Sequence, residues 1–144
     1  MTDKSKGFLT LDVEDWEHAN FTQLNDQKPQ IIRSVRERNY AMDANTDLWI
    51  EILRKTGAQS TCFVLGEFAQ RYPQAVKRLA RSGHEIASHG LTHDLIYSMS
   101  QLEFREHLKK AIGILGDLTG TTPIGFRAPE LVSRPANTLV LRRT

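Results

Sequence analysis

The feature that most constrains the fold is a regular alternation of short apolar runs with longer amphipathic segments. Runs rich in β-branched and aromatic residues begin near Phe8, Ser60, His84 and Ile124, and segments of helical length separate them. Strands that alternate with helices in this way are typical of an α/β fold. The sequence therefore predicts parallel strands joined by helical crossovers, as in a parallel sheet or a barrel wall.

Helix signals lie between these runs. The first helix is expected from the cap candidates at 43–47 to Lys55, and the second from Glu67 to Ser82, restarted by Pro73. A capping-box pattern at Ser100 predicts a third helix to about residue 118. Residues 16–45 are mostly polar, and a long segment of this kind is usually functional or mobile. The expected strands are 8–13, 60–65, 84–88 and 124–128.

Composition excludes several classes of protein. The chain has 144 residues, of which 40% are hydrophobic and 25% charged, as expected for one globular domain. A net charge of +2 gives no basis for nucleic-acid binding. No apolar run reaches the ~20 residues that a membrane span needs. The single cysteine, Cys62, and an N-terminus without an apolar signal segment favour a cytoplasmic location.

Three polar clusters follow the predicted strands at their carboxyl ends, where α/β folds gather their chemistry. They are Asp12-Val-Glu-Asp15, Ser88-His-Gly-Leu-Thr-His93 and Arg127-Ala-Pro-Glu130. Strand alternation places Asp12 and Glu14 on one side. Two carboxylates that share a side repel each other unless a cation or a donor relieves them. A solvated acidic turn is the alternative interpretation.

The histidine pair predicts a metal site. His89 and His93 are four residues apart, so both imidazoles can reach one ion, and an acidic strand end adds an oxygen ligand. Ser88 or Thr92 is expected to fix an imidazole tautomer. The remaining carboxylate would serve as a base, held by a bidentate arginine, Arg127. Chance proximity of two loop histidines and a structural ion pair of the arginine are the alternatives.

Together, the three clusters resemble the polysaccharide (carbohydrate) deacetylase family, also called the NodB-homology domain or carbohydrate esterase family 4. Leu9-Thr-Leu-Asp-Val-Glu-Asp15 resembles its first motif, Ser88-His-Gly-Leu-Thr-His93 its second, and Gly125-Phe-Arg-Ala-Pro129 its third. The resemblance extends from about Phe8 to Pro129. The Asp-Val-Glu-Asp and Arg-Ala-Pro forms are most similar to the subgroup linked to O-antigen and exopolysaccharide gene clusters.

The resemblance implies a function for each matching residue. Asp12 would be the catalytic base, oriented and tuned by Arg127, and His89 and His93 would be metal ligands. The third ligand is open: Val13 stands where the family usually has an aspartate, so alternation favours Glu14, with Asp15 as the runner-up. The implied reaction is metal-dependent hydrolysis of an acetyl group on a sugar. Zinc is the first choice of ion, with cobalt, nickel or manganese as alternatives.

The resemblance also implies a partial fold. Family domains are distorted (β/α) barrels, whereas this chain has motifs one to three and none of the later ones, including a histidine expected to protonate the leaving amine. We therefore expect residues 1–144 to form one incomplete deacetylase domain, a truncated NodB-type barrel. Its open sheet edge would invite a second copy or a complementing chain. The alternatives are a catalytically silent fragment that binds saccharide or a partner, and a hydrolase of non-sugar amides.

Aromatic residues near the clusters are candidates for substrate contact. Trp16 follows the acidic strand end and Tyr97 follows the second histidine, so both could line a saccharide groove. Trp49, at helical spacing, is instead expected in the core. Cys62 is expected to be an inert, buried side chain.

Overall fold

The computed structural model describes residues 7–15 and 42–129, which contain a small parallel sheet. Its strands are β1 (Thr10–Val13), β2 (Thr61–Val64) and β3 (Glu85–Ser88), in the order β1-β2-β3. Both neighbouring pairs are parallel, with Asp12 beside Phe63 and Phe63 beside Ala87. The predicted α/β fold with parallel strands and helical crossovers is confirmed.

In the described part of the chain, four helices accompany the sheet: α1 (Met42–Thr56), α2 (Gly66–Arg71), α3 (Pro73–Arg81) and α4 (Gln101–Thr119), with a short 3₁₀ turn at Ile96–Ser98. The single helix predicted from Glu67 to Ser82 is therefore two helices. Tyr72 between them has φ −124° and ψ 57°, outside the helical region. Proline at position 73 disfavours a helical conformation at the preceding residue and has no N–H to donate.

The ends of α4 follow their predicted signals. The Ser100 hydroxyl accepts a hydrogen bond from the Glu103 backbone N–H, and the Glu103 carboxylate accepts one from the Ser100 N–H. This reciprocal pair is the predicted capping box. Gly120 ends the helix with φ +73°, a left-handed conformation that glycine adopts without steric cost.

One face of the sheet packs against the helices and forms the core. The core consists of fully or nearly buried apolar side chains, including Val13, Cys62, Val64, Leu65, Phe68, Val76, Leu79 and Leu115. Trp49 packs against this cluster, as predicted. Burial also raises the pKa of the Cys62 thiol, which favours its inert form. The alternate strand residues, Asp12 and Phe63 among them, lie on the opposite face.

The predicted fourth strand, residues 124–128, is reduced to one parallel bridge between Phe126 and Ser88. Ser88 N–H donates to the Gly125 carbonyl, and Arg127 N–H donates to the Ser88 carbonyl, both at 2.9 Å. Pro123 precedes this segment and cannot donate to a ladder. The bridge nevertheless places Arg127 at the carboxyl end of β3, beside the loop of residues 89–93, which we call the histidine loop. Within the described residues, no helix has the length and apolarity to cross a membrane.

Candidate active site

Glu14 and the two histidines meet at the carboxyl end of the sheet. Glu14 follows β1, His89 follows β3, and His93 lies in the loop after it. One Glu14 oxygen, Oε2, lies 3.1 Å from His93 Nε2 and 3.8 Å from His89 Nε2. One ligand atom from each residue lies within 4.8 Å of the others. Two imidazole nitrogens and one carboxylate oxygen form a donor set that suits zinc and related divalent ions and leaves coordination positions free.

His89 is held in the tautomer that a metal ligand needs. The side chain is 2% exposed, and its Nδ1 lies 2.9 Å from the Arg127 carbonyl oxygen. Because a carbonyl only accepts, Nδ1 carries the proton and Nε2 keeps its lone pair toward Glu14. Burial is the largest influence on the His89 pKa and lowers it, although Asp12, the Arg127 carbonyl and Glu14 act in the opposite direction. The favoured neutral imidazole is the ligating form.

The prediction that Ser88 or Thr92 fixes a tautomer is wrong for His89. The Ser88 hydroxyl accepts a hydrogen bond from Gly90 N–H at 3.2 Å, and the Thr92 hydroxyl donates to Asp94. Both hydroxyls are engaged within the loop itself. A backbone carbonyl, which residue identity does not reveal, orients the His89 ring instead.

The histidine loop is seated on the start of α2. Gly66 N–H donates to the Gly90 carbonyl and Glu67 N–H donates to the Leu91 carbonyl, both at 2.9 Å. Gly90 has φ +103°, a conformation that L side chains rarely adopt, so this turn depends on glycine. Backbone hydrogen bonds therefore fix the segment that carries both imidazoles.

Asp12 and Arg127 form an ion pair on the sheet face opposite the core. Arg127 Nη1 donates to Asp12 Oδ1 at 2.6 Å, and Nη2 donates to the Thr10 hydroxyl at 2.9 Å. The guanidinium also stacks over the Phe63 ring, 4.1 Å from its centroid. The expected bidentate pair is wrong, because the two nitrogens bind different residues. The arginine extends over β2 to orient one carboxylate oxygen on β1.

Asp15 does not join the histidines. It is 4% exposed, and its Oδ2 accepts a hydrogen bond from the Tyr72 hydroxyl at 3.3 Å and lies 4.0 Å from Arg71 Nη1. The structure thus places Glu14, and not Asp15, beside the imidazoles. The buried Asp15 instead ties the end of β1 to the end of α2.

Of the two predicted substrate residues, Tyr97 and Trp16, the structure describes only Tyr97. Tyr97 lies in the 3₁₀ turn after the histidine loop and is 64% exposed, so its ring is free to contact a ligand. Trp16 lies outside the described residues. Thr10 and Phe63 were missed from the sequence. Strand alternation could have found Thr10, two residues before Asp12, but Phe63 needs the β1–β2 register.

Comparison with known proteins identifies the family. Residues 37–142 match the sequence model described as polysaccharide deacetylase. The chain therefore belongs to the polysaccharide deacetylase family. The matched range begins after Asp12 and Glu14. Their place in the site is therefore seen from the structure, in which Glu14 lies near His89 and His93 and Asp12 pairs with Arg127.

Curated relatives share this family. The chain is 34% identical over 80 residues to a peptidoglycan-N-acetylglucosamine deacetylase of Bacillus cereus, covering 56% of this chain and 29% of that protein. It is 32% identical over 102 residues to the putative polysaccharide deacetylase YheN of Bacillus subtilis, covering 65% and 36%. The chain spans less than a third of the length of the first relatives it matches.

Solved structures show the same fold. A putative polysaccharide deacetylase from Mycobacterium smegmatis superposes with a TM-score of 0.63 at 27% identity, covering 85% of this chain and 42% of that one. A CE4 family pseudoenzyme from Bacillus anthracis also gives 0.63, at 20% identity over 85% and 34%. The described α/β unit is thus part of the barrel found in carbohydrate esterase family 4.

Proposed function

We propose that this protein is a metal-dependent hydrolase that removes acetyl groups from N-acetylated sugars of a cell-surface polysaccharide or its precursor. The observation that carries the proposal is the position of Glu14, His89 and His93 beside the Asp12–Arg127 pair. Family membership supports the reaction class, and the names of relatives that act on peptidoglycan support an acetylated glycan as substrate.

The proposed ion is divalent, with zinc as the first choice. Glu14 Oε2 and the Nε2 atoms of His89 and His93 would hold it, since these atoms already converge. When bound, the ion would polarise the acetyl carbonyl and make a water molecule easier to deprotonate. The Arg127 carbonyl keeps His89 in the required tautomer.

Asp12 is the proposed general base. Its carboxylate accepts the proton of the attacking water while Arg127 holds one of its oxygens in place. Hydrolysis forms a bond from the water oxygen to the acetyl carbon and breaks the bond from that carbon to nitrogen. The water loses one proton to Asp12, and the released amine gains one proton, so the protons balance.

Acetate release tests this proposal. The zinc-loaded protein should release acetate from N-acetylated chitooligosaccharide, and Asp12→Asn should abolish release while zinc still binds. Asp117→Asn, an exposed acid on α4, is the matched control and should keep the activity. An active Asp12→Asn variant would overturn the role of Asp12.

Metal binding tests the ligands separately. The His89→Ala, His93→Ala double variant should lose stoichiometric zinc in calorimetry, and Glu14→Gln should bind it more weakly. His107→Ala, on α4, serves as the control histidine and should bind zinc as the native protein does. Zinc retained by the double variant would show that the proposed ligands are wrong.

A second function is a catalytically silent deacetylase-like chain that binds saccharide or a partner. One structural neighbour, from Bacillus anthracis, is itself described as a pseudoenzyme, and this favours the second function. In this proposal residues 1–144 form part of one deacetylase domain, and the sheet edge beyond the Phe126 bridge receives a complementing chain or a second copy. Saccharide binding without acetate release under varied metals would favour this function.

Finer features of the proposal come from the sequence. The Asp-Val-Glu-Asp and Arg-Ala-Pro forms support an O-antigen or exopolysaccharide precursor as the substrate. The single buried Cys62 supports a reducing, cytoplasmic location. Activity on an acetylated lipid-linked or nucleotide-linked sugar, but not on assembled peptidoglycan, would support this assignment.

A further inference from the structure

Asp15 is a buried carboxylate beside the site that the proposed reaction does not use. Its side chain is 4% exposed, whereas those of Asp12 and Glu14 are 40% and 27% exposed. Burial of a charged carboxylate is unfavourable unless hydrogen bonds and an opposite charge compensate for the lost water. Here the Tyr72 hydroxyl donates to Asp15 Oδ2 at 3.3 Å, and Arg71 Nη1 lies 4.0 Å from the same oxygen. The end of α2 therefore holds this carboxylate.

Tyr72 is itself fixed by its packing. The centroid of its ring lies 5.0 Å from that of Phe68, a fully buried residue of the core. The Tyr72 N–H donates to the Phe68 carbonyl at 2.8 Å, and the Arg71 guanidinium lies over the Tyr72 ring, 5.2 Å from its centroid. The hydroxyl that meets Asp15 thus belongs to a residue held by the core, at the break between α2 and α3.

Glu14 lies between two anchored residues. The strand β1 ends at Val13, which is buried and whose carbonyl accepts a hydrogen bond from Leu65 N–H at 3.4 Å. Asp15, on the other side of Glu14, is buried as well. Because side chains alternate along an extended backbone, Val13 and Asp15 face the helices and Glu14 faces the opposite side. There its Oε2 lies 3.1 Å from His93 Nε2.

We propose that Asp15 is a positioning residue for Glu14, the third metal ligand of the proposed function, on which this inference rests. A ligand must be held to within about 0.5 Å of its productive position. Asp15 supplies this restraint through the backbone that it shares with Glu14, and the Tyr72 hydroxyl fixes Asp15 in turn. The alternative is a contact that only stabilises the fold, which would not act on Glu14 in particular.

Zinc titration of the full chain in two backgrounds tests the proposal. Tyr72→Phe removes the hydroxyl and keeps the ring, and it should weaken zinc binding about tenfold in the native chain. In a Glu14→Ala chain it should cause no further loss, because no ligand remains at position 14. Asp15→Ala should show the same pattern. Asp47→Asn breaks a 2.7 Å ion pair with Arg78 between α1 and α3, and this matched control should bind zinc normally. Native affinity in Tyr72→Phe, or an equal loss in both backgrounds, would overturn the proposal.

Nuclear magnetic resonance of the metal-free chain separates this inference from the proposed function. Tyr72→Phe should shift the Glu14 amide signal and the His93 ring signals, because Glu14 Oε2 lies 3.1 Å from His93 Nε2. Asp47→Asn should leave both unchanged. Unmoved His93 signals in Tyr72→Phe would overturn the proposal. A native chain that binds no zinc, but whose His93 signals move in Tyr72→Phe, would contradict the metal site and still support Asp15 as the residue that positions Glu14.

Discussion

Gly66 is the residue at which one added methyl group should disturb the histidine loop. It is the first residue of α2, it is buried, and its N–H donates to the Gly90 carbonyl at 2.9 Å. A Cβ atom at this position would lie 2.8 Å from Leu91 Cδ1 and 3.2 Å from Leu91 Cα. The side-chain atom can rotate away. The Cα atom belongs to the loop between His89 and His93, so the loop backbone must move by a few tenths of an ångström.

We predict that Gly66→Ala lowers the free energy of unfolding by about 1–3 kcal/mol, the usual cost of overpacking a well-filled interior. The displaced backbone also carries both imidazoles, so affinity for the proposed zinc ion should fall about tenfold, as it does when groups that orient metal ligands are disturbed. Urea unfolding measures the first effect, and competition with a chelating dye measures the second.

Gly113→Ala provides the control for a glycine-to-alanine change. Gly113 lies inside α4, and nothing stands within 4 Å of an added Cβ. Helix propensity alone should therefore stabilise this variant by about 0.5–1 kcal/mol without altering zinc affinity. If Gly66→Ala were as stable as the native protein and bound zinc equally well, the histidine loop would not be seated against α2 as described.

Three further outcomes follow from the packing. Because burial lowers the folded-state pKa of His84 below its unfolded value of 6.5, its contribution to stability is complete above that pH and decreases as the pH falls below it. Between about pH 7.5 and about pH 5, urea unfolding should therefore show a larger loss of stability in the native chain than in His84→Gln, which keeps the loss from buried His89. Leu115→Ala empties a fully buried core position and should cost about 2–5 kcal/mol in chemical unfolding, whereas exposed Leu102→Ala should cost little. Ser100→Ala removes half of the capping box and should lower the free energy of unfolding by about 0.5–2 kcal/mol, an effect that Ser100→Thr should largely avoid.

Local patterns were sufficient to predict most of the fold. Apolar alternation located β1, β2 and β3, and the capping box and Gly120 located the ends of α4. These signals are carried by neighbouring residues, so no long-range information is needed to read them. Position 73 shows the limit, since proline in a first helical turn predicts one helix that restarts there, whereas the backbone of Tyr72 separates two helices.

The sequence predicts that the side chains of the site lie together at the carboxyl end of the sheet, but it does not predict their contacts. Alternation favoured Glu14 over Asp15, and the structure places Glu14 near the imidazoles. The tether that holds Asp15 depends on Tyr72, a residue distant in sequence and brought close only by folding. The same holds for the Phe63 ring beneath Arg127, because its position follows from the β1–β2 register. Backbone acceptors, such as the carbonyl that orients His89, cannot be predicted from residue type, because every residue carries one.

Arg127 contacts both the histidine loop and Asp12, through its backbone and its side chain respectively. Its main-chain oxygen serves the imidazole of His89, while its guanidinium serves the carboxylate of Asp12. Side-chain replacement can therefore separate the functions, because any amino acid supplies the oxygen. A shift of the peptide itself, by an insertion or a change at nearby Pro129, would disturb the proposed metal ligand and the proposed base at once.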